Sequence, residues 1–234
     1  YRAAVQVPVR SYSTSKGSSR SDSNASKAVR EFIDSKGRIT ERDVVQFMND
    51  NRRSMDARNA TNLVHFVAKK KIKLQDDIMV ALIDILQQNQ QMKVDKIYLS
   101  KCFQGLRCFR TPTNCAIVES YLLYLQSIIQ NSSSSIKMDG QSVGQCLYAL
   151  QQISSKQRGL SSLLCTLTPK IDETKEMVSG QAIGNALYGL QGMSSGEAEV
   201  RGVLEALSSK IEESQEMLSG QEIGNALYGL QGMS

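Results

Sequence analysis

A repeated stretch of 14 residues constrains the fold of this chain more than any other feature of its sequence. Residues 141–154 read QSVGQCLYALQQIS, residues 181–194 read QAIGNALYGLQGMS, and residues 221–234 read QEIGNALYGLQGMS. Each copy begins 40 residues after the previous one, and the last two differ only at Ala182 and Glu222. A fixed period of this size is typical of arrays in which every repeat forms one small structural unit.

The same pattern continues upstream in a weaker form. Five positions are equivalent across the copies, namely Asn62, Lys101, Gln145, Asn185 and Asn225, and they are separated by 39, 44, 40 and 40 residues. The longer step contains a run of serines from 132 to 135, which we interpret as a loop insertion.

Each repeat contains two helical patterns. In residues 181–193 apolar side chains recur at i, i+3, i+4, i+7 and i+10, which predicts an amphipathic helix, called helix B. A second stripe over 198–211, called helix A, recurs at 160–171 and 118–129. Gly184 and Gly189 lie inside helix B, where a glycine costs about 1 kcal/mol relative to alanine. Their presence suggests that the backbone approaches a neighbouring helix closely.

A single pair of such helices cannot bury its apolar stripes, whereas stacked pairs share a continuous core. The sequence therefore predicts an all-α fold, an α-solenoid of stacked two-helix repeats of about 40 residues that occupies residues 28–234 in about five helix pairs. The best-defined repeats are 111–154, 155–194 and 195–234. The last helix B would leave its apolar residues uncovered, so we expect the array to be truncated at the C-terminus.

The helix B motif resembles the second helix of octotricopeptide repeats, a family of organellar helical-repeat proteins. The matching residues are Gln181, Asn185, Leu187, Tyr188, Leu190 and Gly192, and their equivalents 40 residues later. This sequence departs from the family where Tyr188 and Tyr228 replace the usual tryptophan, and where the paired prolines of the first helix are absent. The motif match covers residues 141–234, and the period extends to about residue 40.

The resemblance implies that the protein binds single-stranded organellar RNA and acts in transcript processing, stability or translation. Other proteins of an RNA-processing or ribosomal complex are the alternative partners, with the array serving as an interaction scaffold. By analogy with other helical-repeat RNA readers, each repeat would address about one base.

The N-terminal residues have the composition of a targeting segment. Residues 1–30 carry six basic residues and a single acid, Asp22, and eight serines lie between 11 and 27. This composition is typical of a transit peptide, although a disordered serine-rich linker would look similar. We therefore expect residues 1–27 to be a disordered transit peptide that directs the protein to the mitochondrial matrix or, alternatively, to a plastid. No run approaches the roughly 18 apolar residues needed to cross a membrane, so we expect no membrane insertion.

The remaining charge is distributed unevenly along the chain. Residues 31–110 contain 15 basic and 10 acidic residues, whereas residues 111–234 contain 7 and 12. Because RNA phosphates attract basic side chains, we expect RNA contacts mainly in the N-terminal repeats. The candidates there are Arg52, Arg53, Arg58, Lys69, Lys70, Lys71, Lys73, Lys101, Arg107 and Arg110. Lysines at a helix end are also favourable without any ligand, so the run from 69 to 73 has a simpler interpretation.

Two further sets of residues on the repeats are candidates for base recognition. Arg158 and Arg201 occupy positions on helix A that vary between repeats, as a base-reading position should. Asparagine and tyrosine on helix B could bind or stack on a base, but Asn185 and Tyr188 recur unchanged as Asn225 and Tyr228. We interpret these four as a structural signature, such as a hydrogen-bond ladder between stacked repeats.

Residues suited to catalysis or metal binding are scarce in this chain. His65 is the only histidine, and the five cysteines contain no C-x-x-C pair. The glycines belong to the repeat and not to a phosphate-binding loop. We therefore expect no enzymatic activity, no cofactor and no metal site.

Overall fold

The computed structural model describes residues 24–35, 37–88, 94–110, 115–132, 136–214 and 216–233. Within these residues there are eleven α-helices and no strand. The helices are α1 (Asn24–Asp34), α2 (Glu41–Asn51), α3 (Ala57–Lys69), α4 (Asp76–Gln87), α5 (Lys96–Gln104), α6 (Ala116–Asn131), α7 (Gly140–Tyr148), α8 (Leu160–Asp172), α9 (Gly180–Gly189), α10 (Ala198–Glu213) and α11 (Gly220–Leu230). A 3-10 turn, Gly105–Cys108, follows α5.

Apart from α2, the helices form two layers in which each helix packs on the helix two positions along the chain. Helices α1, α3, α5, α7, α9 and α11 follow one another in the first layer, and α4, α6, α8 and α10 follow one another in the second. The predicted α-solenoid is therefore confirmed, with the B helices in the first layer and the A helices in the second. Residues 1–23 of the predicted transit peptide and serines 133–135 of the predicted insertion lie outside the described residues.

The B helices begin in the same way. Each has an N-cap side chain in extended backbone that accepts a hydrogen bond from an amide in the first turn. These caps are Asp56, Asp95, Asp139, Ser179 and Ser219. Each cap lies six residues before the equivalent position defined by Asn62, Lys101, Gln145, Asn185 and Asn225. The two upstream repeats therefore have the same register as the three with the strong motif.

A single hydrophobic core runs along the whole array between the two layers. It extends from Ala25 in α1 to Ala226 in α11, and it includes the stripes predicted for helices A and B. Leu163, Leu167 and Val203 of the A layer are almost completely buried in it. Because each fully buried side chain of this size contributes about 1.5–3 kcal/mol, the shared core is the main stabilising contribution to the stack.

The glycines inside the B helices make the close contacts that the sequence predicted. A Cβ on Gly144 would lie 2.8 Å from both the Cα and the carbonyl oxygen of Ala182 in the next B helix. A Cβ on Gly189 would overlap the carbonyl oxygen of Leu147 in the preceding B helix. Helix α9 therefore uses Gly184 to contact the next helix and Gly189 to contact the previous one.

Candidate nucleic-acid interface

The polar face of the B helices forms one continuous surface, and a stack of aromatic rings covers its C-terminal half. The rings of Tyr148 and Tyr188 lie 5.7 Å apart at 28°, and those of Tyr188 and Tyr228 lie 5.4 Å apart at 19°. The guanidinium carbon of Arg107 lies 5.3 Å from the centre of the Tyr148 ring. This tyrosine stack leaves neither Tyr148 nor Tyr188 a free ring face for a base. The tyrosines contact one another by ring stacking, where the sequence suggested hydrogen bonds.

Hydrogen bonds between neighbouring repeats accompany the stack, but other side chains make them. Gln191 Nε2 donates to the Gln151 carbonyl oxygen at 2.9 Å. Gln104 Nε2 donates to the Gln145 carbonyl oxygen at 3.0 Å. Asn185 and Asn225 lie half-buried one helical turn before Tyr188 and Tyr228. Sequence reasoning overlooked the glutamines, although the recurrence of Gln151 as Gln191 in the repeat could have indicated them.

The N-terminal half of the same face carries a basic depression between α3, α5 and α7, which we call the Lys101 groove. Its lining includes Arg58, Asn62, His65, Lys69, Lys70 and Lys101. Three adjoining hollows make up the groove, and Lys101 lines all of them. The largest hollow has a volume of about 560 Å³. This volume lies within the range of about 300–1,000 Å³ that is usual for small-molecule sites.

Lys101 is the central cation of the groove. Its Nζ atom donates to Asn62 Oδ1 at 2.9 Å, so the ammonium group keeps further donors for a ligand. The two carboxylates at the edge of the groove already have hydrogen-bond or ion-pair partners. Asp95 caps α5, while Asp139 caps α7 and also pairs with Lys96.

The position of His65 in the groove lowers its pKa. Burial is the first cause that holds the pKa of His65 below its usual value of 6.5, and the charges of Lys101, Lys69 and Arg107 lower it further. The imidazole is therefore neutral at pH 7 and offers one donor and one acceptor. Its Nδ1 atom is buried and has no hydrogen-bond partner among the described residues.

The structure divides the predicted basic residues into two groups. Arg58, Lys69, Lys70 and Lys101 meet in the Lys101 groove. Lys69 is the last residue of α3, so the lysine run begins at a helix end and continues into the turn before α4. Lys71 lies in that turn with a left-handed backbone and is exposed.

The other basic candidates are held in internal contacts or lie elsewhere. Lys73 Nζ donates to the Arg107 carbonyl oxygen at 2.8 Å and to Gln152 Oε1 at 2.7 Å, and burial lowers its pKa. Arg110 pairs with Glu41. Arg201 donates to the carbonyl oxygens of Ser195 and Gly196 in the loop before α10. The side chains of Arg52, Arg53 and Arg158 are exposed outside the groove, and Arg158 lies in the loop before α8 and not on helix A as predicted.

The described residues were also compared with the requirements of a metal site and of a membrane-spanning helix. They contain no group of three histidine, cysteine, aspartate or glutamate side chains arranged to hold a metal ion. All five cysteines are free thiols, and burial raises the pKa of Cys102, Cys108 and Cys146. Among the helices described, none is long and apolar enough to cross a membrane.

The fold and the surface together define an α-solenoid with a basic groove at one end of a tyrosine-lined face. No known protein family, no curated protein and no solved structure matches this chain.

Proposed function

We propose that this protein binds single-stranded RNA of an organelle and acts in the processing, stability or translation of its transcripts. The Lys101 groove is the observation that carries the proposal. The resemblance of the helix B motif to octotricopeptide repeats supports it independently.

The groove has the chemistry that an RNA strand requires. Arg58, Lys69 and Lys70 are exposed around it and would neutralise phosphates, which supply most of the affinity of RNA binding. Asn62 and the neutral His65 lie among these cations. Such groups can hydrogen-bond to a base edge, whereas the exposed basic side chains would mainly neutralise phosphates.

Base contacts would be confined to the α3 and α5 repeats. At the position of His65, the last three repeats carry Tyr148, Tyr188 and Tyr228. The faces of Tyr148 and Tyr188 are already covered by stacking, so these rings cannot hold bases between them. We therefore expect a short footprint of a few nucleotides.

Charge reversal in the groove tests the proposal. The complete chain would be titrated with fluorescent single-stranded RNA at several salt concentrations, and anisotropy would be recorded. Each phosphate that is no longer neutralised should decrease the slope of log affinity against log salt by about 0.7. We expect this decrease for Lys101→Glu and for the exposed pair Lys69→Glu with Lys70→Glu.

Arg158→Glu is the matched control, because it makes the same charge change at an exposed arginine in the loop before α8. It should leave the salt slope nearly unchanged. An equal decrease in affinity for the control and the groove variants would refute the groove as the binding site, and absence of RNA binding by the unmodified chain would refute the function. Crosslinking to organellar RNA followed by sequencing would then identify the preferred transcript.

The organelle is proposed from the composition of residues 1–30 and is tested separately. A fluorescent protein carrying residues 1–30 should be imported by isolated mitochondria and shortened on import. Import by plastids alone would assign the alternative compartment, and import by neither would refute the targeting role.

The alternative function, a protein-interaction scaffold, is favoured by a different observation, the exposed apolar surface of α11.

A further inference from the structure

The outer face of α11 carries a cluster of exposed apolar side chains. Leu227 is 63% exposed, Tyr228 55%, Ile223 44% and Leu230 38%. Single apolar residues on a surface are common, but a contiguous group on one helix face marks an interaction site.

The same face of α9 shows what kind of structure fits there. The residues equivalent to these in the preceding repeat are Ile183, Leu187 and Tyr188 of α9 and Leu190, which directly follows it. There, three of these residues are buried and Tyr188 is half-buried, and α11 packs on α9. The same set of motif residues is therefore buried in one repeat and exposed in α11.

The contact between α9 and α11 depends on a glycine. Gly229 lies so close to the Leu187 carbonyl oxygen that a Cβ would overlap it. Beside this contact the ring of Tyr228 stacks on that of Tyr188. On the other side of the interface, a Cβ on Gly184 would lie 3.0 Å from the Glu222 carbonyl oxygen.

The preceding step repeats the same arrangement. Gly189 of α9 lies on the Leu147 carbonyl oxygen, and Tyr188 stacks on Tyr148. Where α7 packs on α5, by contrast, the residue equivalent to Gly189 is Ala149 and the residue equivalent to Leu147 is Phe103. A glycine that lies on a carbonyl oxygen is therefore found in the two steps in which one motif helix packs on another, whereas a Cβ on the equivalent Gly105, directly after α5, would meet the side chains of Val64 and Tyr121.

Helix α11 carries the residues that the next helix contacts in the two earlier steps. Leu227 and Tyr228 are in place, and a Cβ on Gly224 would meet nothing within 4 Å, which leaves room for a neighbouring backbone. We propose that the outer face of α11 is a docking surface for one further helix of the same motif. The glycine of that helix would lie on the Leu227 carbonyl oxygen, and its tyrosine would stack on Tyr228.

This occupant fits better than RNA. The free ring face of Tyr228 could receive a base, but the C-terminal part of the chain, residues 111–234, has 7 basic and 12 acidic residues. A surface in an acidic region repels phosphates. The interface also continues an established one, because each earlier motif helix is covered by the same type of helix.

An added repeat tests the docking surface. A second copy of residues 195–233 would be joined to the end of the chain, and amide hydrogen exchange of α11 would be compared with that of the original chain. Docking should slow exchange across Ile223 to Leu230 by about tenfold or more, because repeats stabilise their neighbours.

The control replaces one residue of the added copy by leucine, at the position equivalent to Gly229. A leucine there would collide with the Leu227 carbonyl oxygen, so the protection of α11 should return to that of the original chain. Equal protection with glycine and leucine would overturn the proposed contact, and so would no protection with glycine.

Two other occupants are separate outcomes of the test. A concentration-dependent dimer of the original chain that Leu227→Glu abolishes would assign the face to a second copy and overturn the proposal. RNA binding that Leu227→Glu weakens more than Lys101→Glu would assign the face to RNA and overturn it as well. Leu123→Glu, at an exposed leucine of the other layer, controls for a general effect of added charge.

Discussion

One substitution has opposite expected effects at equivalent positions of two repeats, and it tests the stacking of the B helices directly. Gly144 in α7 and Gly224 in α11 occupy the same position of the motif. A Cβ at Gly144 would meet the backbone of Ala182, whereas a Cβ at Gly224 would meet nothing within 4 Å. Gly144→Ala and Gly224→Ala are therefore the same chemical change at the same position of the motif, with and without a following B helix.

The size of the difference follows from two contributions. Replacing glycine by alanine inside an exposed helix stabilises it by about 0.8–1 kcal/mol, and this applies to Gly224→Ala. At Gly144 the new Cβ would lie 2.8 Å from two backbone atoms, compared with an ordinary contact of about 3.5–4.0 Å. The backbone of α9 must then move, and such overpacking costs about 1–3 kcal/mol. We expect the free energies of unfolding of the two variants to differ by about 1–3 kcal/mol, with Gly144→Ala the less stable.

Hydrogen exchange is the most direct assay, because arrays of repeats do not always unfold in one step. Amides of α7 and α9 should exchange faster in Gly144→Ala, and amides of α11 should exchange more slowly in Gly224→Ala. Urea unfolding followed by circular dichroism gives the global difference. Equal stabilisation by both substitutions would refute the close approach of α7 and α9.

Three further predictions concern individual side chains. Because His65 is harder to protonate in the folded protein, stability should fall as pH decreases below about 6.5, and urea unfolding of His65→Gln should lack this component of the pH dependence. Tyr188→Leu removes a ring that stacks on two neighbours and should lower the free energy of unfolding by about 1–3 kcal/mol, while Tyr228→Leu removes a ring that stacks on one and should cost about half as much in the same assay. Lys73→Met removes two internal hydrogen bonds and should destabilise the protein by about 1–3 kcal/mol, with little change in RNA affinity measured by anisotropy. A smaller effect for Tyr188→Leu than for Tyr228→Leu, or weaker RNA binding with unchanged stability in Lys73→Met, would contradict these explanations.

The repeat made the fold predictable. Helix period and apolar stripes are local properties, so their recurrence along residues 118–234 was enough to predict stacked two-helix repeats. The internal glycines also predicted a close contact, because glycine destabilises a helix and is retained inside one only where another interaction requires it. Gly184 and Gly189 do make the predicted approach, to Glu222 and to Leu147.

The arrangement of side chains between repeats was decided by the tertiary structure alone. The sequence could not distinguish Arg58, which lines the Lys101 groove, from Lys73, whose ammonium group is held by Arg107 and Gln152. Both are basic residues of the same region. Their difference depends on the rotation of each helix and on the offset between stacked helices, and neither quantity is encoded in a local period.

The tyrosines also show which properties the sequence predicts and which depend on the tertiary structure. Sequence alone determined that Tyr188 and Tyr228 are equivalent and that their recurrence favours a structural role. Only the stacked helices bring their rings to 5.4 Å and cover both faces of Tyr188 while leaving one face of Tyr228 open. The physical reason is that a repeat specifies the shape of one unit, whereas contacts between units depend on how closely two backbones can approach.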